Sequence, residues 1–137
     1  MEFEKMITIM CFGSFDVLHP GHIYFLKRAK SLGDKLVVVI ARDSTIKEVK
    51  DITPKYDEKW RVEHIRDLHI ADKVMLGYEA DKYEVIEEIN PDVIALGYDQ
   101  DGFADKLKDE MAKRNMNPKI VRLAAYKEEH YKSSKLR

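Results

Sequence analysis

The chain of 137 residues is poor in several features whose scarcity excludes whole classes of protein. It has a single cysteine, Cys11, so an internal disulfide and a cysteine-rich metal site are both excluded. No apolar run approaches the ~20 residues that a membrane-spanning helix requires. Residues 1–5 lack the basic region and the apolar run of a secretory signal. These absences predict a soluble, cytoplasmic protein without a membrane partner.

Neither sign of charge dominates the chain. Lysine and arginine number 24 and aspartate and glutamate 25, which gives a formal net charge of −1. This balance produces no overall attraction to a polyanion, so nucleic-acid binding is not predicted. The distribution is uneven, because residues 106–137 contain 10 basic and 4 acidic side chains. Such a region suits contact with a triphosphate, or it is simply a solvated surface rich in lysine and glutamate.

Short apolar stretches alternate with helical patterns along the sequence. The apolar, β-branched stretches predict five strands, at 6–12, 36–41, 74–76, 93–96 and 120–123. Helical spacing predicts a helix that begins at Gly21, helices over 57–68 and 82–89, and a helix that contains 103–111. Residues 42–55 are expected to form a loop with at most a turn of helix.

Strands that alternate with helices predict an α/β fold, a doubly wound, Rossmann-like parallel sheet with helices on both faces. The whole chain, 1–137, is expected to form this one domain, with 124–137 as a tail or closing segment. Ligands of such sheets bind beyond the carboxyl ends of the strands, where the strand order reverses. This rule directs attention to the segments 13–22, 41–47 and 97–100, each of which follows a predicted strand.

The segment from Gly13 to His22 reads Gly-Ser-Phe-Asp-Val-Leu-His-Pro-Gly-His. Its histidines, His19 and His22, straddle the predicted start of a helix, so both imidazoles can project the same way from the first turn. A helix N-terminus already offers N–H groups and a partial positive charge. Gly21 allows a phosphate to approach the backbone. The combination predicts a site for a phosphate whose negative charge grows during a reaction.

Other interpretations of the same residues stay open at this point. A lone histidine near a helix start more often caps the helix or packs against it. A His-x-x-His pair also binds zinc, with Asp16 as a third ligand, although a closed zinc site needs four protein ligands and a catalytic one three. A Cys–His nucleophile would use Cys11, but a thiol within an apolar strand is inert.

The segment 13–22 resembles the His-x-Gly-His signature of the nucleotidyltransferase superfamily that includes the cytidylyltransferases. The stretches 12–40 and 41–47 also resemble the small single-domain members. The resemblance implies that an acceptor phosphate attacks the α-phosphorus of ATP or CTP and that pyrophosphate leaves, without a covalent enzyme intermediate. The histidines would stabilise the pentavalent transition state. A divalent metal, expected to be magnesium, would be held by the triphosphate rather than by protein side chains.

The resemblance also implies roles for individual residues. Catalysis is expected from His19, His22 and Lys47, and Lys47 would contact the acceptor or the triphosphate. Nucleotide contacts are expected from the two histidines and from Ser14, Phe15, Pro20, Gly21, Asp99, Tyr126, Ser133 and Ser134. Arg61 is expected to bind the substrate. The structural alternatives are a solvated lysine for Lys47, a surface ion pair for Arg61 and a helix cap for Asp99.

Two segments indicate a branch of this superfamily. The run Leu-Gly-Tyr-Asp-Gln at 96–100 and the serine pair near the end resemble the archaeal-type FAD synthases, which transfer AMP from ATP to FMN. The closing run lacks the arginine and glycine of glycerol-phosphate cytidylyltransferases. The alternatives are a cytidylyltransferase for glycerol 3-phosphate or phosphoethanolamine, a heptose-phosphate adenylyltransferase and a nucleotide-binding module without turnover. A homodimer is expected, with the helix of Trp60 as an interface.

Overall fold

A computed structural model describes residues 5–79, 81–97 and 100–124 of the chain. Its strands are β1 (Thr8–Gly13), β2 (Lys35–Ile40), β3 (Lys73–Leu76), β4 (Val93–Leu96) and β5 (Lys119–Arg122). Its helices are α1 (Pro20–Lys30), α2 (Asp43–Lys50), α3 (Glu58–Arg66), α4 (Glu84–Ile89) and α5 (Asp101–Lys113). Within these ranges, none of the helices has the length and apolar character needed to cross a membrane.

The five strands form one sheet in the order β3-β2-β1-β4-β5, and every neighbouring pair is parallel. The predicted doubly wound parallel sheet is therefore confirmed. The chain passes from β1 outward to β3 and then crosses back to β4, which pairs with the other edge of β1. The carboxyl ends of β1 and β4 consequently flank the crevice in which a sheet of this kind binds its ligands.

Helices cover both faces of the sheet, because alternate strand residues point to opposite sides. On the first face, Leu26 and Ala29 of α1 and Val62 and Ile65 of α3 form one core with strand residues. These strand residues are Ile9, Cys11, Leu36 and Val38. On the second face, Val85 and Ile86 of α4 and Leu107 and Met111 of α5 form the other core with strand residues. These strand residues are Met10, Val39, Ile94 and Leu96. Both cores lie below the loops at the carboxyl edge and hold those loops in place.

One prediction about secondary structure was wrong, because residues 42–55, expected to be a loop, contain α2. Ile46 is its buried residue, Asp43 and Thr45 are half-buried, and the other side chains, including the apolar Val49, are exposed. A helix that buries one side chain shows little apolar periodicity, which is the signal on which the sequence prediction depends. The acidic Asp43 in its first turn and the basic Lys47 and Lys50 in its last turn suit the helix dipole.

Candidate active site

The loop that joins β1 to α1 is shaped by the ring of Phe15. Phe15 is buried and has a φ of 49°, in the left-handed region that bulky residues rarely adopt. A Cβ atom added at Gly13 would lie 2.5 Å from Cε2 of this ring, so the ring position requires glycine at 13. The Phe15 ring meets the imidazole of His22 edge-on, with centroids 5.4 Å apart. Gly13 therefore influences, through Phe15, where the His22 ring lies.

His19 and His22 cap the first turn of α1 reciprocally. The N–H of Gly21 donates to Nδ1 of His19 over 3.0 Å, and the N–H of His19 donates to Nδ1 of His22 over 3.3 Å. The two rings lie 3.9 Å apart between centroids. This is the arrangement of a capping box, built here from two imidazoles in place of the usual hydroxyl and carboxylate.

The capping bonds assign the tautomer of both histidines. Because each Nδ1 accepts a backbone N–H, each neutral ring carries its proton on Nε2, where it is a hydrogen-bond donor. The first-turn N–H groups are themselves engaged, since those of His22 and Ile23 donate to the carbonyl of His19. The imidazoles thus extend the positive end of the helix beyond its own N–H groups. The predicted approach of a phosphate to the backbone at Gly21 stays a prediction.

Asp16 connects the histidine-bearing loop to the segment before α3. Its carboxylate accepts the N–H of Lys55 over 2.7 Å and the N–H of Tyr56 over 2.8 Å. Burial raises the pKa of Asp16, but these two bonds and the charges of Arg61 and Lys55 outweigh it and lower the pKa overall. An ionised Asp16 therefore fixes residues 55–56 against the loop that carries the histidines.

Arg61 lies on the inner side of α3 and is fully buried. Its guanidinium donates to the backbone carbonyls of three separate segments, at Ser14 (2.8 Å), Ala41 (2.7 Å) and Tyr56 (3.0 Å). It also pairs with the carboxylate of Asp43 at 2.7 Å. The alternative of a surface ion pair for Arg61 is wrong, because the charged pair spans from the core to the start of α2. A direct contact of Arg61 with substrate stays a prediction.

The first turns of α2 and α3 cap each other. Glu58 accepts the N–H of Asp43 over 2.9 Å, and Asp43 accepts the N–H of Glu58 over 3.3 Å. Arg42 donates from Nε to the carbonyl of Gly77 over 2.6 Å and so links the same corner to the end of β3. Carboxylates at helix N-termini satisfy N–H groups that have no partner within the helix. These bonds fix the orientation of α2, which carries Lys47.

An open cavity of about 710 Å³ lies beside the histidine loop, between α2 and the segment that precedes α3. Polar and charged side chains dominate its lining: Asp43, Ser44, Lys47, Glu48, Thr53, Lys55 and Asp57. Lys47 is exposed on this lining. Lys47 shares this lining with Lys55, whose backbone N–H donates to Asp16 of the histidine loop. A common site for Lys47 and the histidines stays a prediction.

Gln100 holds the opposite side of the crevice. Its side-chain oxygen accepts the N–H of Gly97, after β4, over 2.8 Å. Its Nε2 donates to the carbonyl of Phe12, near the end of β1, over 3.3 Å. The ring of Phe12 also meets that of Phe103 edge-on at 5.2 Å between centroids. Gln100 therefore spans the switch point between β1 and β4.

The family model described as cytidylyltransferase-like matches residues 10–137, which is most of the chain and includes both histidines. The chain belongs to the cytidylyltransferase-like family. The resemblance predicted from the His-x-Gly-His segment is thereby confirmed.

Two FAD synthases are among the proteins similar to this chain. That of Methanosarcina barkeri is 46% identical over 123 residues, which covers 90% of this chain and 87% of the relative. That of Thermococcus sibiricus is 42% identical over 135 residues, which covers 97% and 91%. A solved structure, described as a lipopolysaccharide core biosynthesis protein from Thermoplasma volcanium, is 43% identical with a TM-score of 0.84, over 89% of this chain and 99% of that one.

Two of the alternative chemistries find little support in the geometry of this cytidylyltransferase-like site. Burial raises the pKa of the Cys11 thiol to about 12, so it is not an activated nucleophile. Both carboxylate oxygens of Asp16 accept backbone N–H groups, so the bonds of Asp16 account for its position without a zinc ion. In the described part of the chain, no group of three or more His, Cys, Asp or Glu side chains is placed to hold a metal ion.

Several predicted nucleotide contacts cannot be compared with the geometry. Asp99, Tyr126, Ser133 and Ser134 lie outside the described residues. Ser14 and Phe15 lie in the loop before His19, and Pro20 and Gly21 lie between the two histidines in the first turn of α1. Their contacts with a nucleotide stay predictions.

Sequence reasoning missed three residues that organise the site: Asp16 as a link between loops, Asp43 as the partner of Arg61, and Gln100. One signal was available for Arg61, because it shares the inner stripe of α3 with Val62 and Ile65. A charged residue on an apolar stripe indicates a buried, bonded group rather than a solvated one. Lys55, which donates to Asp16, is 39 residues away in sequence, and Phe12, which accepts from Gln100, is 88 residues away, so no local pattern reveals these two links.

Proposed function

We propose that this protein is an FMN adenylyltransferase, that is, an FAD synthase. A phosphate oxygen of FMN attacks the α-phosphorus of ATP. The bond between that phosphorus and the oxygen that joins the α- and β-phosphates breaks. The new bond forms the diphosphate of FAD, and pyrophosphate leaves. The reaction needs no protein nucleophile, only positioning and charge stabilisation.

The observation that carries the proposal is the combination of two facts. The FAD synthases of eight archaea are 42–46% identical to this chain over most of its length. The same chain presents His19 and His22 as Nε2–H donors at a helix start. The relatives indicate the substrates, and the histidines supply the chemistry.

The histidines suit the developing charge on the α-phosphate. In the attack, negative charge grows on the oxygens around the phosphorus, and Nε2–H donors placed there stabilise the transition state more than the ground state. The capping bonds on Nδ1 hold both rings in one tautomer and orientation, so no reorganisation is needed when the charge develops. We assign this transition-state role to His19 and His22.

Lys47 is assigned to the phosphate of FMN or to the triphosphate. It is exposed on the cavity beside the histidine loop, together with Lys55. The ammonium group of either lysine can pair with a phosphate, and the same lining carries the carboxylates of Asp43, Glu48 and Asp57, of which Asp43 is paired with Arg61. Magnesium, when bound together with the triphosphate, would neutralise part of its charge. We propose that the triphosphate, rather than protein side chains, would hold this ion.

Two expectations about the assembled enzyme are also part of the proposal. The exposed Trp60 stacks between Tyr56 and His64, with centroid distances of 3.8 and 4.3 Å, and offers a flat aromatic surface for a second copy. We propose a homodimer through this helix, which light scattering tests directly. A cytoplasmic enzyme is proposed because ATP and FMN are metabolites of that compartment.

The deciding experiment measures pyrophosphate release with magnesium, with ATP and CTP each crossed against four acceptors. The acceptors are FMN, glycerol 3-phosphate, phosphoethanolamine and a heptose 1-phosphate. Release with ATP and FMN alone, with FAD identified by its mass, is the expected result. Release with CTP and an alcohol phosphate would keep the mechanism and replace the substrates.

The heptose phosphate is included as an acceptor because one similar solved structure is described as a lipopolysaccharide core biosynthesis protein. Nucleotide binding without any pyrophosphate release would favour a binding module over an enzyme. The panel thus separates the proposed reaction from each alternative that the sequence left open.

A further inference from the structure

The guanidinium of Arg61 is the charged group buried in the described core, at 0% exposure. Taking a charge out of water is costly unless it is paired and fully hydrogen-bonded. Arg61 meets this condition with three backbone carbonyls and the Asp43 carboxylate. An apolar side chain at this place on α3 would pack without that penalty, so the four bonds themselves require an explanation.

The three carbonyls belong to the three segments that surround the proposed reaction. Ser14 lies in the loop that leads to His19 and His22. Ala41 follows β2 and precedes the helix that carries Lys47. Tyr56 lies in the segment that borders the cavity on the α3 side. One planar group therefore fixes the histidines, the lysine-bearing helix and the cavity border relative to one another.

A second set of bonds joins the same segments independently. Asp16 accepts the N–H of Lys55 and the N–H of Tyr56, while Arg61 donates to the carbonyl of Tyr56. The Tyr56 peptide is thus held on both sides, by a carboxylate from the histidine loop and by the guanidinium from α3. Asp43, which pairs with Arg61, also caps α3 through the N–H of Glu58.

We propose that Arg61 is a positioning residue that sets His19 and His22 relative to Lys47 and does not itself touch the substrate. The activity part of this proposal rests on the proposed function, because it assumes that the histidines and Lys47 act on one phosphoryl transfer. Lysine cannot replace arginine here. Its single ammonium cannot reach three carbonyls and a carboxylate that lie in different directions, whereas the planar guanidinium has five donors.

The test compares Arg61→Lys and Arg61→Met with Arg66→Met. Arg66 is on the same helix, pairs with Glu63 and donates to the carbonyl of Val74 on β3, so its replacement controls for loss of an α3 arginine that does not bond to the three segments held by Arg61. The readouts are kcat, KM for FMN and for ATP, the folded fraction by circular dichroism, and amide hydrogen exchange at residues 14–19 and 55–56. Rates are expressed per folded molecule.

Misplacement of reacting groups by about 1 Å lowers rates by as much as ~10²-fold. We therefore expect Arg61→Lys to lower kcat by about 10–10²-fold, with KM values changed less than kcat. We expect faster amide exchange at 55–56 and 14–19 but not in α5. Added guanidinium should restore part of kcat in a third variant, Arg61→Ala, because truncation at Cβ leaves space for the ion that methionine would fill. Arg66→Met should match the wild type in each respect.

Distinct results would overturn the proposal. If Arg61→Lys is folded and its kcat is unchanged, Arg61 has only a structural role. If KM for FMN rises while kcat and amide exchange stay as in the wild type, Arg61 binds the substrate directly. If Arg61→Met does not fold, Arg61→Lys, which keeps the charge, decides alone. If the wild-type protein makes no FAD, the proposed function fails, and the exchange measurements still decide whether Arg61 holds these segments.

Discussion

The two sides of the crevice are held together by different kinds of bond. On the side of β1 and β2, a buried guanidinium and ionised carboxylates join the loops, through Arg61, Asp16 and Asp43. On the side of β4, within the described residues, the neutral amide of Gln100 makes the corresponding link. Hydrogen bonds to charged groups contribute about 1.5–3 kcal/mol each, against about 1 kcal/mol between neutral groups. The first side is therefore the more firmly fixed.

The more firmly fixed side is also the side to which we assign the catalytic residues. The firmly held side carries His19, His22 and Lys47, the groups to which we assign contact with the transition state, and such groups must be placed within a fraction of an ångström. The side of Gln100 borders the crevice where we expect the nucleotide, which can adjust as it binds. Substitutions on one side of the crevice or the other therefore distinguish an effect on kcat from an effect on KM.

The largest effect is expected from His19→Asn. Asparagine is a strong N-cap residue, so its side-chain oxygen keeps the acceptor for the Gly21 N–H while the ring donor is lost. Loss of one such donor costs about 10²–10³ in kcat. We expect a fall of that size with thermal stability within about 1 kcal/mol of the wild type, measured by FAD formation and by thermal unfolding.

His64→Ala is the matched control for this variant, because His64 stacks on Trp60 away from the capping box. It should leave kcat unchanged. A His19→Asn protein that retains the wild-type rate would remove this histidine from the mechanism, whatever its effect on the helix.

Gly13→Ala should disturb the same side through packing. The new Cβ atom would lie 2.5 Å and 2.8 Å from two atoms of the buried Phe15 ring, which must shift. Overpacking of this kind destabilises by about 1–3 kcal/mol. Because the ring contacts His22, kcat should fall as well. Urea unfolding and kinetics check both effects.

The double variant Gly13→Ala with Phe15→Leu sharpens this prediction, since the smaller side chain makes room for the methyl group. Part of the lost stability should return. If Gly13→Ala alone changes neither stability nor rate, the Phe15 ring does not limit the position of His22.

Asp16→Asn should have a smaller effect that depends on pH. Backbone bonds and nearby positive charge lower the pKa of Asp16 below its ordinary value of 3.8, so the ionised form is favoured in the folded state. Its contribution to stability is complete above about pH 4 and is lost as the pH falls through the lowered folded pKa. The variant should be less stable than the wild type at pH 7, and the difference should shrink below pH 4.

Thermal unfolding between pH 2.5 and pH 7 measures this convergence. Asp34→Asn is a useful comparison, because Asp34 accepts a single backbone N–H, from Ile7, at an exposed place beside the amino ends of β1 and β2, the opposite edge of the sheet from the site. A constant difference between wild type and Asp16→Asn across this range would show that the Asp16 charge does not stabilise the fold.

Local patterns predicted most of the fold and are the basis of the proposal for the reacting groups. Apolar runs revealed the five strands, and the spacing of His19 and His22 indicated a phosphate site, because both signals lie within a few residues. They did not reveal α2, whose single buried residue, Ile46, gives no periodicity. Nor did they reveal the partners of Arg61, which lie 5 to 47 residues away and meet only in the folded chain.

The smallest effect is expected at Gln100, where Gln100→Glu and Gln100→Met separate its two bonds. Glutamate still accepts the N–H of Gly97, but its carboxylate faces the carbonyl of Phe12 without a donor. Methionine loses both bonds at similar size. Each variant should cost about 1 kcal/mol of stability and raise KM for ATP several-fold. Because Arg61 holds the histidines from the other side, kcat should stay within about two-fold of the wild type. A fall in kcat as large as that of an Arg61 variant would show that the two sides act as one unit and that the stronger bonds do not isolate the histidines.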